Sequence, residues 1–192
     1  MDLFYLHRIN PEIPVEEVAF GEGKIIESGK IKGWGLSQVS EDEIRLANNI
    51  TQLTAFQSEY SMMERYVEES VLPTCKELGI GMVPFSPLAS GFLSGNYSES
   101  TEYTGDDVRR VITRFDKENI VANQALLDLL DTFSSIKGAT PAQISLAWLL
   151  YKDECIVPIP GMRTLDRIQE NLGAADISLT IAEFNKIENA SV

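Results

Sequence analysis

A chain of 192 residues with 44% apolar side chains is long enough to bury one substantial core. Its 16 basic and 29 acidic residues give a net charge of −13, which repels nucleic acid and anionic membrane at long range, so neither is expected as a partner. A local anion site made from a few arginines and helix N-termini stays compatible with that charge, because it acts at short range.

No apolar run approaches membrane-spanning length, and the N-terminus lacks the basic start and small-residue cleavage site of a signal peptide. Cys75 and Cys155 form no spacing motif and read as small core residues; a reducing, cytoplasmic compartment is the expectation. No metal-ligand cluster is expected either.

In chain order, short apolar runs rich in β-formers recur at Leu3–His7, Ile31–Ser37, Leu53–Glu59, Gly81–Ser86 and Cys155–Ile159. Helical patterns separate them, with explicit start signals. "SEDE" (Ser40 to Glu43) and "SMME" (Ser61 to Glu64) read as capping boxes, as does "TIAE" (Thr180 to Glu183). Pro73 interrupts the stretch Tyr66–Leu78 and predicts a break there. Two helices are expected between the fourth and fifth strands, over Ile120–Lys137 ended by Gly138 and over Pro141–Tyr151 with Thr140 as N-cap. The polar stretch from Phe92 to Lys117 is long for a connection, and such loops are usually functional or mobile.

Strands alternating with helices imply a parallel sheet, and the near-continuous apolarity of the strands implies cover on both faces. A doubly wound sheet and a βα-barrel both fit that rhythm. "HRINPEIP" after the first strand has no Gly-x-Gly turn, as a doubly wound nucleotide fold would usually show. Polar groups instead gather at the carboxyl ends of the strands, where barrels keep their sites. The expected fold class is therefore α/β, a partial (β/α)8 TIM barrel of about five parallel strands, forming a single domain over residues 1–192.

Five stretches, "DLFYLHR", "IKGWGLSQ", "FQSEYS", "VPFSPLASGFLSG" and "IVPIPGMRTLDRIQENLGA", occur in this order. Together they resemble the aldo-keto reductases, an (α/β)8-barrel family that reduces aldehydes and ketones with NADPH. The resemblance places the chain on the family's fourth to eighth strands, incomplete at the N-terminus. It implies that His7 lies beside the substrate carbonyl. Ser37, Gln38 and Gln57 fall where the family holds the nicotinamide carboxamide, with Gln38 in place of the usual Asn. Phe85 falls where an aromatic ring, often Tyr, stacks on the nicotinamide.

The same resemblance puts Ser86, Leu88, Ser90 and Gly91 in the pyrophosphate-binding turn. Gly161, Arg163 and Arg167 fall at the adenosine 2′-phosphate, and Asn171 at the adenine. Physical chemistry supports the arginines independently. Arg163 precedes Thr164, the expected N-cap of a short helix reaching Leu172 and stopped by Gly173, and both the helix N-terminus and a guanidinium favour phosphate. NADPH is accordingly the expected cofactor and a small-molecule carbonyl compound the expected substrate.

The family's Tyr, Lys and Asp of proton transfer have no counterpart here, which implies impaired turnover in a truncated chain. The alternative is a non-catalytic nicotinamide-cofactor-binding module or partner subunit. An incomplete barrel also exposes strand edges, so self-association through them is expected.

Overall fold

The computed structural model describes residues 1–95, 101 and 103–190, which gather into two compact units. The first comprises Met1–Tyr60, Arg65–Phe85 and Cys155–Val157. It is built on a four-stranded parallel sheet of β1 (Leu3–Leu6), β2 (Gly33–Ser37), β3 (Ala55–Glu59) and β4 (Gly81–Phe85), in that spatial order. Three helices connect the strands: α1 (Val15–Glu27), α2 (Glu41–Ile50) and α3 (Val71–Leu78).

The register pairs Tyr5 with Gly35, Ser37 with Gln57, and Glu59 with Phe85. Because side chains alternate along a strand, this aligns two different faces. One carries Trp34, Leu36, Phe56 and Met82, all fully buried alongside Ala19, Ile44, Ala47 and Cys75 of the helices. The other carries Tyr5, Gln57, Val83 and Phe85, which are half-buried. Gly33, Gly35, Ala55 and Gly81 lie between them and leave that face thin.

The expected fifth strand is reduced to a single parallel bridge between Met82 and Ile156. Met82 donates to Cys155 O at 2.8 Å and Val157 donates to Met82 O at 2.8 Å, and the ladder goes no further. Pro84 is the next residue of β4 whose amide would point toward this edge, and proline has no N–H to give. The sheet therefore has four strands rather than five.

Several helix starts behave as the sequence predicts. Ser40 and Glu43 bond reciprocally to each other's backbone amides, as do Thr140 and Gln143, and Thr180 and Glu183. Ser61–Glu64 does not: Ser61 and Glu64 exchange backbone hydrogen bonds across a tight turn, so "SMME" starts no helix. The break expected at Pro73 falls earlier, between a 3-10 turn at Tyr66–Glu68 and α3. Pro73 is the third residue of α3, where the missing N–H has no intrahelical partner to lose.

The second unit contains residues 61–64, 86–154 and the described part of 158–192. Its helices are α4 (Lys117–Ala122), α5 (Gln124–Lys137), α6 (Pro141–Lys152), α7 (Leu165–Leu172) and α8 (Ile181–Ala190). The single helix expected over Ile120–Lys137 is divided at Asn123, whose side chain donates to Asn119 O at 2.7 Å. Helix α6 is the centre of this unit, with Ile144, Ser145, Leu146, Ala147, Trp148 and Leu149 all buried in succession. Such a run is enclosed on every side, and only the last turn, at Leu150 and Tyr151, reaches solvent. The Trp148 indole donates to Glu188 Oε2 at 3.0 Å, and Lys152 reaches the other carboxylate oxygen at 2.8 Å, fixing α8.

The stretch from Phe92 to Lys117 includes residues 96–100 and 102, which lie outside the described ones. The rest is folded: 3-10 turns at Val108–Val111 and Thr113–Phe115 bring the Phe115 ring edge-on to Phe92, 5.6 Å between centroids.

Candidate functional site

In the first unit, the carboxyl ends of the strands assemble a polar group. His7 lies one residue beyond β1 rather than inside it, and is exposed. Its imidazole makes no hydrogen bond among the described residues. Arg8 folds back, donating to His7 O at 2.7 Å and to the buried Ser37 hydroxyl at 3.3 Å. Gln38 stands at φ 56° and its side-chain amide donates to Ser58 Oγ at 3.4 Å, while Ser58 also bonds the Tyr66 hydroxyl. Gln57 and Phe85 are half-buried on the same sheet face as Tyr5. Burial pushes the Tyr5 hydroxyl pKa up, and the Gln57 side chain partly offsets that rise.

In the second unit, one open cavity of about 450 Å³ is lined by Ser86, Leu88, Ser90, Gly91, Gly161, Arg163, Arg167 and Asn171. These are all eight residues that the sequence assigns to the phosphates and adenine. Pro87, Ser94, Ile159 and Pro160 complete the lining and were not singled out.

The turn that forms one wall is conformationally unusual. Ser86, Ala89 and Ser90 have φ of 49°, 51° and 59°, and Gly91 follows at 93°. With Gln38, these three are the only non-glycine residues of positive φ among the described residues. L-residues avoid this region at a cost of about 1–2 kcal/mol each, so their clustering marks a backbone shaped for something other than stability. A right-handed residue followed by left-handed ones turns consecutive amides into a concavity that suits an anion.

Opposite stands α7, capped by the Thr164 hydroxyl, which accepts from the Arg167 amide at 3.3 Å. Arg163 is exposed and forms no ion pair among the described residues, whereas Arg167 is held by Glu170 at 2.7 Å. Gly173 does not stop the helix in a left-handed cap. The chain continues right-handed into the 3-10 turn Gly173–Asp176, and the glycine is there because a Cβ would sit 2.5 Å from Gln143 Nε2. That Gln143 amide donates to Glu170 O at 2.9 Å and ties α7 to the start of α6.

Asn171 is 6% exposed, and its Nδ2 donates to Gly161 O at 3.2 Å. A carbonyl only accepts, so this bond fixes the amide's orientation and leaves Oδ1 buried without a partner. A buried acceptor without a donor costs about 1–3 kcal/mol, and native structures rarely tolerate one without a reason. An amino group delivered by a bound base would satisfy it. The two arginines and the left-handed turn suit an anionic ligand, and the orphan oxygen suits a hydrogen-bond donor.

Cys75 is buried, which pushes its thiol to about 12, and Cys155 is half-buried rather than a core residue; neither is in a disulfide. Among the described residues no helix is long and apolar enough to cross a membrane.

The first unit is a parallel βα sheet with polar strand ends, and the second holds a cavity lined with arginines and a left-handed turn. The aldo/keto reductase family model matches residues 1–192. A probable aldo-keto reductase 1 of Glycine max is 38% identical over 190 residues, covering 99% of this chain and 55% of the relative. The chain therefore spans about half the length of that relative.

Among solved structures, the thermostable aldo-keto reductase Tm1743, crystallised with the inhibitor epalrestat, superposes with a TM-score of 0.76 at 26% identity. The match covers 99% of this chain and 60% of that one. The glycerol dehydrogenase AKR11B4 of Gluconobacter oxydans gives a TM-score of 0.91 at 22% identity, over 99% of this chain and 58% of the other, a likeness of fold. The chain belongs to the aldo/keto reductase family.

Proposed function

We propose that the chain binds NADPH and acts in the reduction of an aldehyde or ketone to an alcohol. The observation that carries this reading is the buried, unpartnered Oδ1 of Asn171 in the cavity that also holds Arg163 and the left-handed turn. When bound, the reduced nicotinamide supplies a hydride to the carbonyl carbon.

The chain's own residues bind and orient. Arg163, Arg167 and the start of α7 hold the 2′-phosphate, through charge and helix-terminal amides together. Asn171 Oδ1 accepts from the adenine amine, and the turn at Ser86, Leu88, Ser90 and Gly91, with Gly161 across from it, admits the pyrophosphate close to the backbone. Ser37, Gln38 and Gln57 receive the carboxamide, Phe85 offers a ring face to the nicotinamide, and His7 orients the carbonyl.

Because Arg167 must leave Glu170 to serve a phosphate and Arg163 need not, Arg163→Ala should weaken NADPH binding more than Arg167→Ala. Cofactor fluorescence measures both. Equal, negligible effects would remove the phosphate assignment.

A second reading, a cofactor-binding module without turnover, is favoured by one observation. The strand ends read His7-Arg8, Ser37-Gln38, Glu59-Tyr60 and Phe85-Ser86, with no lysine to assist a proton donor. Reduction of a nitrobenzaldehyde, lost in His7→Ala, supports the enzyme; NADPH binding without reduction supports the module.

A further inference from the structure

Arg8 is the one lysine or arginine among the residues that close the four strands of the sheet. Leu6 registers with Leu36, so His7 and Ser37 stand level at the ends of β1 and β2. The Arg8 guanidinium bridges them: Nη1 donates to His7 O at 2.7 Å and to the buried Ser37 hydroxyl at 3.3 Å. An exposed arginine usually keeps its head in water. This one is tied back onto the strand ends, next to the exposed His7.

Both anchoring bonds use the same nitrogen. Nε and Nη2 of Arg8 make no hydrogen bond among the described residues, and Arg8 forms no ion pair there, in a chain with 29 acidic residues. The Nε–Nη2 edge is the one with which this chain grips carboxylates elsewhere. Arg65 holds Glu68 through Nε at 3.0 Å and Nη2 at 2.8 Å, and Arg109 holds Asp107 through the same pair at 2.9 and 2.5 Å. The planar fork matches the two oxygens of a carboxylate. Glu59, the one acid at the strand ends, closes β3 and is separated from β1 by β2.

We propose that Arg8 selects carbonyl substrates that carry a carboxylate, its Nε–Nη2 edge taking both carboxylate oxygens while His7 orients the carbonyl. Anchoring through Nη1 holds the fork before the substrate arrives, which reduces the side-chain freedom lost on binding. His7 and Arg8 are neighbours, so both groups belong to one small oxo acid. This inference deepens the reading of the chain as a binder of NADPH and a carbonyl compound, and rests on it.

The test uses the full chain saturated with NADP+, which has no hydride to give, and follows the aldehyde proton of two probes by NMR titration. 4-Carboxybenzaldehyde and 4-nitrobenzaldehyde share their size and a planar end group with two oxygens, and only the first is an anion. The carboxylate should bind about three- to tenfold more tightly, a modest gain because Arg8 stays in reach of water. Arg8→Gln should abolish that preference, and Arg8→Lys should keep only part of it, since lysine retains the charge without the fork.

Equal affinity of the unaltered chain for the two probes, or a full preference retained in either variant, would overturn the proposal. So would equal weakening of both probes in Arg8→Gln, which would make Arg8 a brace for Ser37. Failure of the underlying reading is told apart because the unaltered chain would then not bind NADP+ itself, and both would fall.

Discussion

Replacing Asn171 by Leu separates what this residue does for the fold from what it does for a ligand. The side chain makes one hydrogen bond, Nδ2 to Gly161 O at 3.2 Å, and buries one oxygen with no partner. Losing the bond costs about 0.5–1.5 kcal/mol and strands the Gly161 carbonyl, which stays close enough to the exposed chain surface to find water. Removing the orphan acceptor returns about 1–3 kcal/mol. The two nearly cancel, so the free protein should unfold within about 1 kcal/mol of the original in urea.

Cofactor affinity should behave differently. The donor that would satisfy Oδ1 loses its only acceptor there, and NADPH should bind about tenfold more weakly, equivalent to 1.4 kcal/mol. Equilibrium unfolding and fluorescence titration on the same preparation read the two quantities. A large stability loss with unchanged affinity would show that Asn171 is a structural cross-brace and would refute the assignment.

Gly35→Ala should destabilise the first unit by about 2–3 kcal/mol, because the new Cβ meets the Tyr5 ring and sits 2.6 Å from the Ala55 backbone oxygen, which cannot step aside; an unchanged urea midpoint would count against that tight approach. Glu22 on α1 is 7% exposed with Oε2 unpartnered, and burial raises its pKa. The native state therefore holds a proton that the unfolded chain releases near pH 4.3, so stability falls as pH climbs from there through the raised value. Glu22→Gln should be more stable at pH 7 and should lack that slope, as thermal melts across pH 4 to 7 would show. Finally, β1 is an end strand of the sheet, and we propose that its open edge pairs with a second copy. Sedimentation should show a concentration-dependent dimer that Tyr5→Pro, placed in the edge, abolishes; a monomer at all concentrations would end that idea.

How far the sequence could be read depended on whether a feature is local. Capping boxes at Ser40, Thr140 and Thr180 need only a hydroxyl and a carboxylate or amide three residues apart, and all three form. The same spacing at Ser61 fails because Ser61 and Glu64 exchange backbone hydrogen bonds in a tight turn, and no α-helix begins until Val71. The fifth strand fails for a reason that only pairing reveals. "CIVPI" has strand composition, but its neighbour across the ladder presents Pro84 where an amide is needed. The eight residues that the sequence assigns to the phosphates and adenine, from their order and from the chemistry of Arg163 and Thr164, line one cavity. Arg8 was visible only as a strand-end residue; its bond to Ser37 depends on the fold-back after β1. Tyr5 could be placed on a face but not against Gly35, since its ring lies where that residue has no side chain.

Ser90 offers the sharpest test of whether backbone shape at the turn serves binding. At φ 59° and ψ 26° it occupies the left-handed region, and Gly91 follows at φ 93°. Ser90→Gly relieves about 1 kcal/mol of local strain, but a second adjacent glycine loosens the unfolded chain by about 0.4–1 kcal/mol. Net stability should move by less than about 0.5 kcal/mol. Ser90→Val adds a β-branch where the region is least tolerant and should cost about 2 kcal/mol. If the turn binds through its amides, the glycine variant keeps NADPH affinity, because the concavity survives without the hydroxyl. The valine variant loses affinity as well as stability, because it reopens the turn. Loss of affinity in Ser90→Gly at unchanged stability would instead assign the contact to the Ser90 hydroxyl and remove the backbone from the argument.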